Sequence, residues 1–164
     1  MQTILEGRCK MSYFTDLRMV FQAINNSQRH FNWLITDLQC LRLSLDEGLS
    51  DPLVAPGPHW LTGDELTELV ATSELQFIWA VLSGFSPSIS LDLGRLEIEP
   101  YADGNPNFWV EEPRIQHPLA ELEIVCWDAT STLLLSRDPS ISEQFRQYFP
   151  EAIDLADRNK ARSL

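Results

Sequence analysis

No apolar run in this 164-residue chain approaches the roughly 18 residues that a membrane-spanning helix needs, so no membrane segment is expected. The first residues, Met1, Gln2, Thr3 and Ile4 ahead of Glu6 and Arg8, lack a basic stretch followed by an apolar one. No secretory leader is expected, and the expected compartment is the cytoplasm. Cysteine is scarce: Cys9, Cys40 and Cys126 are far apart and odd in number, without CxxC spacing or a neighbouring histidine cluster. That pattern argues against a disulfide framework and against a zinc site, and it suits small apolar core residues. A glycine-rich phosphate loop, a nucleophile elbow and a paired-histidine zinc motif are all missing, as is any internal repeat. What is present suits a folded domain. With 44% hydrophobic and 22% charged residues, disorder is excluded over most of the length.

Positive charge is missing from the middle of the chain. The net charge is −12, yet residues 1–42 hold five bases against three acids, and residues 137–164 hold five of each. Between them, residues 43–136 hold sixteen acids against Arg95 and Arg114 alone, an excess of −14. Such a surface repels nucleic acid and anionic membranes and speeds encounter with a basic protein. Solubility alone is the competing explanation. No calcium-loop spacing accompanies the acids.

Periodicity outlines an α+β domain. A short strand is expected within 4–11 and a helix over 12–26, with Ser12 as its cap and Phe14, Leu17, Phe21 and Ile24 on one face. Two strands, 31–35 and 38–43, read as a hairpin turned by Thr36 and Asp37. Residues 46–59 carry Pro52, Pro56 and Pro58 with Gly48 and Gly57, which predicts a loop. Thr62 and Glu65 form a capping box for a helix to about Thr72. The apolar run 75–82 reads as the central strand. Strands are then expected around Gly94, from the alternation at 89–93 and 96–98, followed by an irregular stretch 100–118 with a turn at 103–106. A hairpin spans 122–136. Ser140 and Glu143 suggest a second capping box, opening a helix with Ile141, Phe145, Tyr148 and Phe149 facing inward. The sum is an antiparallel or mixed sheet of about five to seven strands covered by about three helices. The expected organisation is a single domain over 1–157 with a polar C-terminal tail, 158–164.

Chemistry-bearing constellations are sparse. His30, His59 and His117 lie in three separate connections, and none is spaced from a Cys or carboxylate as a metal ligand would be. His59, beside Trp60 at the end of the proline-rich loop, is the histidine closest to a plausible site. Adjacent carboxylates such as Asp46/Glu47, Asp64/Glu65 and Glu111/Glu112 would point to opposite faces of a strand and do not make a glycosidase pair. No catalytic residue, metal or cofactor is therefore expected. Trp33, Trp79 and Trp127 fall in apolar strands and read as core. Trp60 and Trp109 border acidic irregular segments, where each either packs under a loop or anchors a partner.

The order of 31–35, then the segment Leu61, Thr62, Gly63, Asp64, Glu65 and Leu66, then the apolar strand and the hairpin 122–136 resembles certain small bacterial proteins of uncharacterised families. Some of these resemble immunity proteins encoded beside toxins. The resemblance spans 31–149 and implies an inhibitor that folds alone and occludes a toxin domain without chemistry; its oligomeric state is open, with a monomer favoured. Nuclease toxins are basic, so the acidic middle of the chain fits that role. The contact residues are expected among Asp46, Glu47, Asp51, Trp60, Asp64, Glu65, Glu97, Glu99, Asp103, Trp109, Glu111 and Glu112. A self-assembling subunit, or an enzyme using His59 or His117 as base, are the rival expectations.

Overall fold

A computed structural model describes residues 2–7, 15–42, 53 and 55–162. Its seven strands are β1 (Gln2–Glu6), β2 (Asn32–Arg42), β3 (His59–Thr62), β4 (Leu75–Phe85), β5 (Leu122–Trp127), β6 (Ser131–Ser136) and β7 (Ile153–Asp154). They form one sheet in the order β3-β2-β4-β5-β6-β1-β7, and every neighbouring pair is antiparallel. Four helices accompany it: α1 (Leu17–Ala23), α2 (Gly63–Thr72), α3 (Pro139–Tyr148) and α4 (Leu155–Arg162). The α+β class holds; the apolar run at 75–82 is an interior strand, β4, while the central position expected of it belongs to β5.

The two faces of the sheet are covered differently. On one face, Leu5, Trp33, Ile35, Phe77, Leu82, Ile124 and Leu134 meet Leu17, Phe21, Leu66, Val70, Ile141 and Phe145 from α1, α2 and α3. On the other, Ile4, Val81, Val125, Leu133 and Leu135 are covered by Ala102 and Phe108 and by Leu155 of α4. Leu34 and Phe85 lie beneath Leu91, Leu93 and Leu96 on that side. The irregular segment 86–121 therefore acts as the second layer. Both faces being dry explains why β4 and β5 read as continuous apolar runs.

Several local expectations are corrected. The pair of strands at 31–35 and 38–43 is one strand, β2, bulged where its register against β4 shifts between Thr36 and Gln39. Asp37 sits there at φ 49°, a left-handed conformation that Asp tolerates in bulges as well as in turns, so the hairpin signal was ambiguous. The strands expected around Gly94 do not form: Leu93–Arg95 is a single 3-10 turn capped by the Asp92 side chain. Ile89, Leu91, Leu93 and Leu96 face the sheet without pairing to it, while Ile98 is exposed. Helix α3 begins earlier than the Ser140 box implies, because the Asp138 carboxylate caps it ahead of Pro139 at the first turn. Residues 158–162, expected as polar tail, belong to α4, which buries Asn159. Among the described residues α1 is capped by Asp16, with Asn25 and Asn26 in left-handed conformations past its end; Ser12 lies outside the described residues.

The capping box of α2 stands as read. Thr62 Oγ1 accepts from the Glu65 N–H at 3.2 Å and the Thr62 N–H donates to Glu65 Oε2 at 2.8 Å. The Thr62 N–H, and after it the Thr62 hydroxyl, which also donates to Glu65 Oε2 at 2.8 Å, hold the Glu65 carboxyl below the usual carboxylate range.

Candidate functional site

The long segment 86–121 is irregular, yet it is tied to the sheet by polar bonds. Thr36 Oγ1 donates to the Pro100 carbonyl at 2.6 Å, one residue before the bulge. The Asp37 carboxylate accepts from the Ala102 and Asp103 N–H groups at 2.7 and 2.8 Å. Gln116 bridges inside the segment: its Oε1 accepts from the Tyr101 N–H and from Asn105 Nδ2, and its Nε2 donates to the Tyr101 carbonyl. The backbone N–H of Gln116 donates to Glu123 Oε2 at 3.0 Å. From α4, Asn159 Nδ2 donates to the Phe108 and Val110 carbonyls, each at 2.8 Å. A chain without ladder bonds must satisfy its backbone in some other way, and these side chains do that.

Held in this way, the segment presents a groove. A cavity of about 440 Å³ is lined by Ile98, Glu99, Tyr101, Val110, Glu112 and Ile115 among others. Ile98, Tyr101 and Val110 are 37%, 44% and 45% exposed, three of the six large hydrophobics left exposed among the described residues. Glu99 and Glu112 contribute carboxylates to the lining, and the exposed Glu97 and Glu111 adjoin it in the chain. The cation in the lining is Arg114, which pairs with Glu112 at 3.0 Å with both side chains 81% exposed. A pair so exposed is screened and easily exchanged. Apolar surface beside acidic groups can receive a basic, partly apolar segment.

The expected contact residues divide accordingly. Glu99 and Glu112 line the groove, while Glu97, Glu111 and Asp103 are exposed on the same segment. Asp64 and Glu65 stand apart at the start of α2, where Asp64 pairs with Arg29 and Glu65 serves the capping box. Trp60 packs on Phe85 with ring centroids 5.5 Å apart, under the segment. Trp109 packs perpendicular to Trp127 at 4.7 Å, beneath Arg158. Both tryptophans are half-buried and pack on a neighbouring ring. Asp46, Glu47 and Asp51 lie outside the described residues. Tyr101 and Val110 were not anticipated, because an apolar residue in an irregular stretch has no periodicity to show which way it faces; Ile98 belongs to the alternation at 96–98, which implied a strand instead.

Of the core tryptophans, Trp33 is fully buried, and Trp79 and Trp127 are partly buried against each other. The histidines are spread out. His117 is buried with its ring 4.8 Å from that of Phe85, its Nδ1 accepts from the Leu119 N–H, and burial pushes its pKa down. His59 shares a cavity of about 350 Å³ with Asp37 and Glu99, but Asp37 is committed to two backbone donors. Cys126 is buried, with its thiol pushed up by desolvation, and Cys40 is half-buried. Among the described residues, no group of three or more His, Cys, Asp and Glu is placed to hold a metal, and no helix is long and apolar enough to cross a membrane.

No protein-family model matches the chain, and no curated protein or solved structure is significantly similar to it.

Proposed function

We propose that the protein is a binding protein whose groove on segment 97–116 docks a basic protein partner, and that it acts as an immunity protein in the cytoplasm, occluding a toxin domain. The observation that carries this reading is the groove itself. Exposed Ile98, Tyr101 and Val110 adjoin Glu99 and Glu112 in the part of the chain that holds the whole negative excess. Apolar anchors supply the lasting part of an interface, and carboxylates around them steer the approach and exclude acidic competitors. The toxin-inhibitor role draws on the family resemblance and on the charge map. Inhibition by occlusion needs a rigid surface rather than reacting groups, and the segment is braced from β2, β5 and α4.

The test is a pull-down from native host lysate at low and high salt, run with the wild-type protein and with Glu111→Lys plus Glu112→Lys. A basic protein retained at low salt, released by high salt and missed by the double variant supports the reading. Equal retention by both proteins removes this face from the account.

A further inference from the structure

A second concavity lies away from the acidic groove, between α4, the β5–β6 turn and the end of β1. Its volume is about 450 Å³ and its lining includes Trp109, Trp127, Thr130, Arg158, Arg162 and Glu6. That volume falls within the range of small-molecule sites, about 300–1,000 Å³. We propose that this cavity binds a small aromatic anion, a planar ring bearing a phosphate or a carboxylate.

The charge argument comes first. In a chain of net charge −12, an anion is repelled from most of the surface, so an anion site requires locally concentrated cations. Here the lining holds two guanidiniums and one carboxylate. Arg158 Nη2 donates to Glu6 Oε1 at 2.7 Å, and Arg162 Nη2 stands 3.9 Å from that same oxygen. The Arg162 side chain is 69% exposed and is available to an incoming oxyanion. Guanidinium forks favour phosphate and carboxylate geometry.

The second observation concerns Arg158. Its side chain is only 11% exposed, and its Nε is buried with no hydrogen-bond partner. A buried donor left unpaired costs free energy that a ligand oxygen, or a water, would recover. The pairing with Glu6 explains how α4 is fastened to β1; it leaves the unpaired Nε and the open cavity unexplained.

The ring is argued from the walls. Trp109 and Trp127 stand perpendicular with centroids 4.7 Å apart. The Arg158 guanidinium lies 4.5 Å from the Trp109 centroid. Indole walls receive a flat ring by offset or edge contact, and the cation beside them places the negative substituent.

The experiment uses tryptophan emission and calorimetry on the full chain with four probes: phenyl phosphate, benzoate, inorganic phosphate and phenol. A saturable response to phenyl phosphate or benzoate is expected, with inorganic phosphate and phenol weaker by at least about tenfold. Arg162→Ala, at an exposed position that the fold does not need, is expected to weaken the aromatic anion by about tenfold while leaving the melting temperature unchanged. Trp109→Leu is expected to remove the ring preference. No saturable response to either aromatic anion overturns the proposal, as does an unchanged affinity in Arg162→Ala. Equal binding of inorganic phosphate overturns the aromatic part.

Discussion

The Glu123 carboxyl is fully buried near the start of β5, facing Ser83 across the pair with β4. Its Oε2 accepts from the Gln116 N–H, while Oε1 and Ser83 Oγ make no well-formed hydrogen bond. Desolvation outweighs the Gln116 bond and pushes its pKa up to about 7 from an ordinary 4.5. Between those values the folded chain keeps a proton that the unfolded chain releases. Stability is therefore greatest below the unfolded value, falls as pH rises toward 7, and is level above it; the loss is roughly 3 kcal/mol. Glu123→Gln keeps an acceptor for Gln116 and adds an amide donor for Ser83. It is expected to stabilise the fold at pH 8 by roughly 1–3 kcal/mol and to change little at pH 4.5. Urea unfolding at both pH values checks this, and an identical pH dependence in both proteins would contradict it. Gly63 is a second informative residue. A Cβ there would strike the Gln28 carbonyl oxygen and lie 2.6 Å from Arg29 Cα. Alanine improves helix propensity by about 1 kcal/mol, but backbone has no rotamer with which to yield. Gly63→Ala is expected to lose roughly 2–4 kcal/mol in denaturant titration.

Among the elements, those written locally in the chain are the ones that could be read from it. The Thr62–Glu65 box, the apolar β4 and the β5–β6 hairpin each depend on residues a few positions apart, and each is present. The misread elements depend on distant partners. Whether Thr36 and Asp37 turn a hairpin or bulge one strand is decided by β4 on one side and by the Ala102 and Asp103 amides on the other. Alternation at 89–98 implied strands, but β3 and β7 are the sheet's edges and no strand takes the segment as a partner. Residues 158–162 of α4 read as a polar tail because their anchoring is polar: Arg158 reaches Glu6, and Asn159 reaches the Phe108 and Val110 carbonyls. That bracing gives a prediction at this scale. Asn159→Ala removes two bonds to buried or partly buried backbone and is expected to cost roughly 1–3 kcal/mol. It should also loosen residues 108–110, seen as a red shift of tryptophan emission and faster amide exchange there. Exchange unchanged at Val110 would mean that α4 does not brace the groove.

For the whole molecule, the charge map was legible from the start, but its convergence was not. Counting places the negative excess in residues 43–136; it does not say that Glu99 and Glu112 meet beside Ile98, Tyr101 and Val110. That meeting is produced by a segment without regular structure, shaped by Asp37, Gln116, Glu123 and Asn159 from four places in the chain. Asp64 and Glu65, equally acidic by count, are drawn off into an ion pair and a helix cap. The molecule thus has an acidic, apolar groove on segment 86–121 and a separate concavity holding two arginines. A basic partner approaching the groove should associate at a rate that falls with ionic strength.

The central claim is tested most directly by capturing partners from host lysate at low and high salt with the wild-type chain and with Glu111→Lys plus Glu112→Lys side by side. The expected result is one basic protein held by the wild type at low salt and released at high salt, with association to the double variant slower by at least about tenfold. Capture that is indifferent to both salt and charge reversal would contradict the claim.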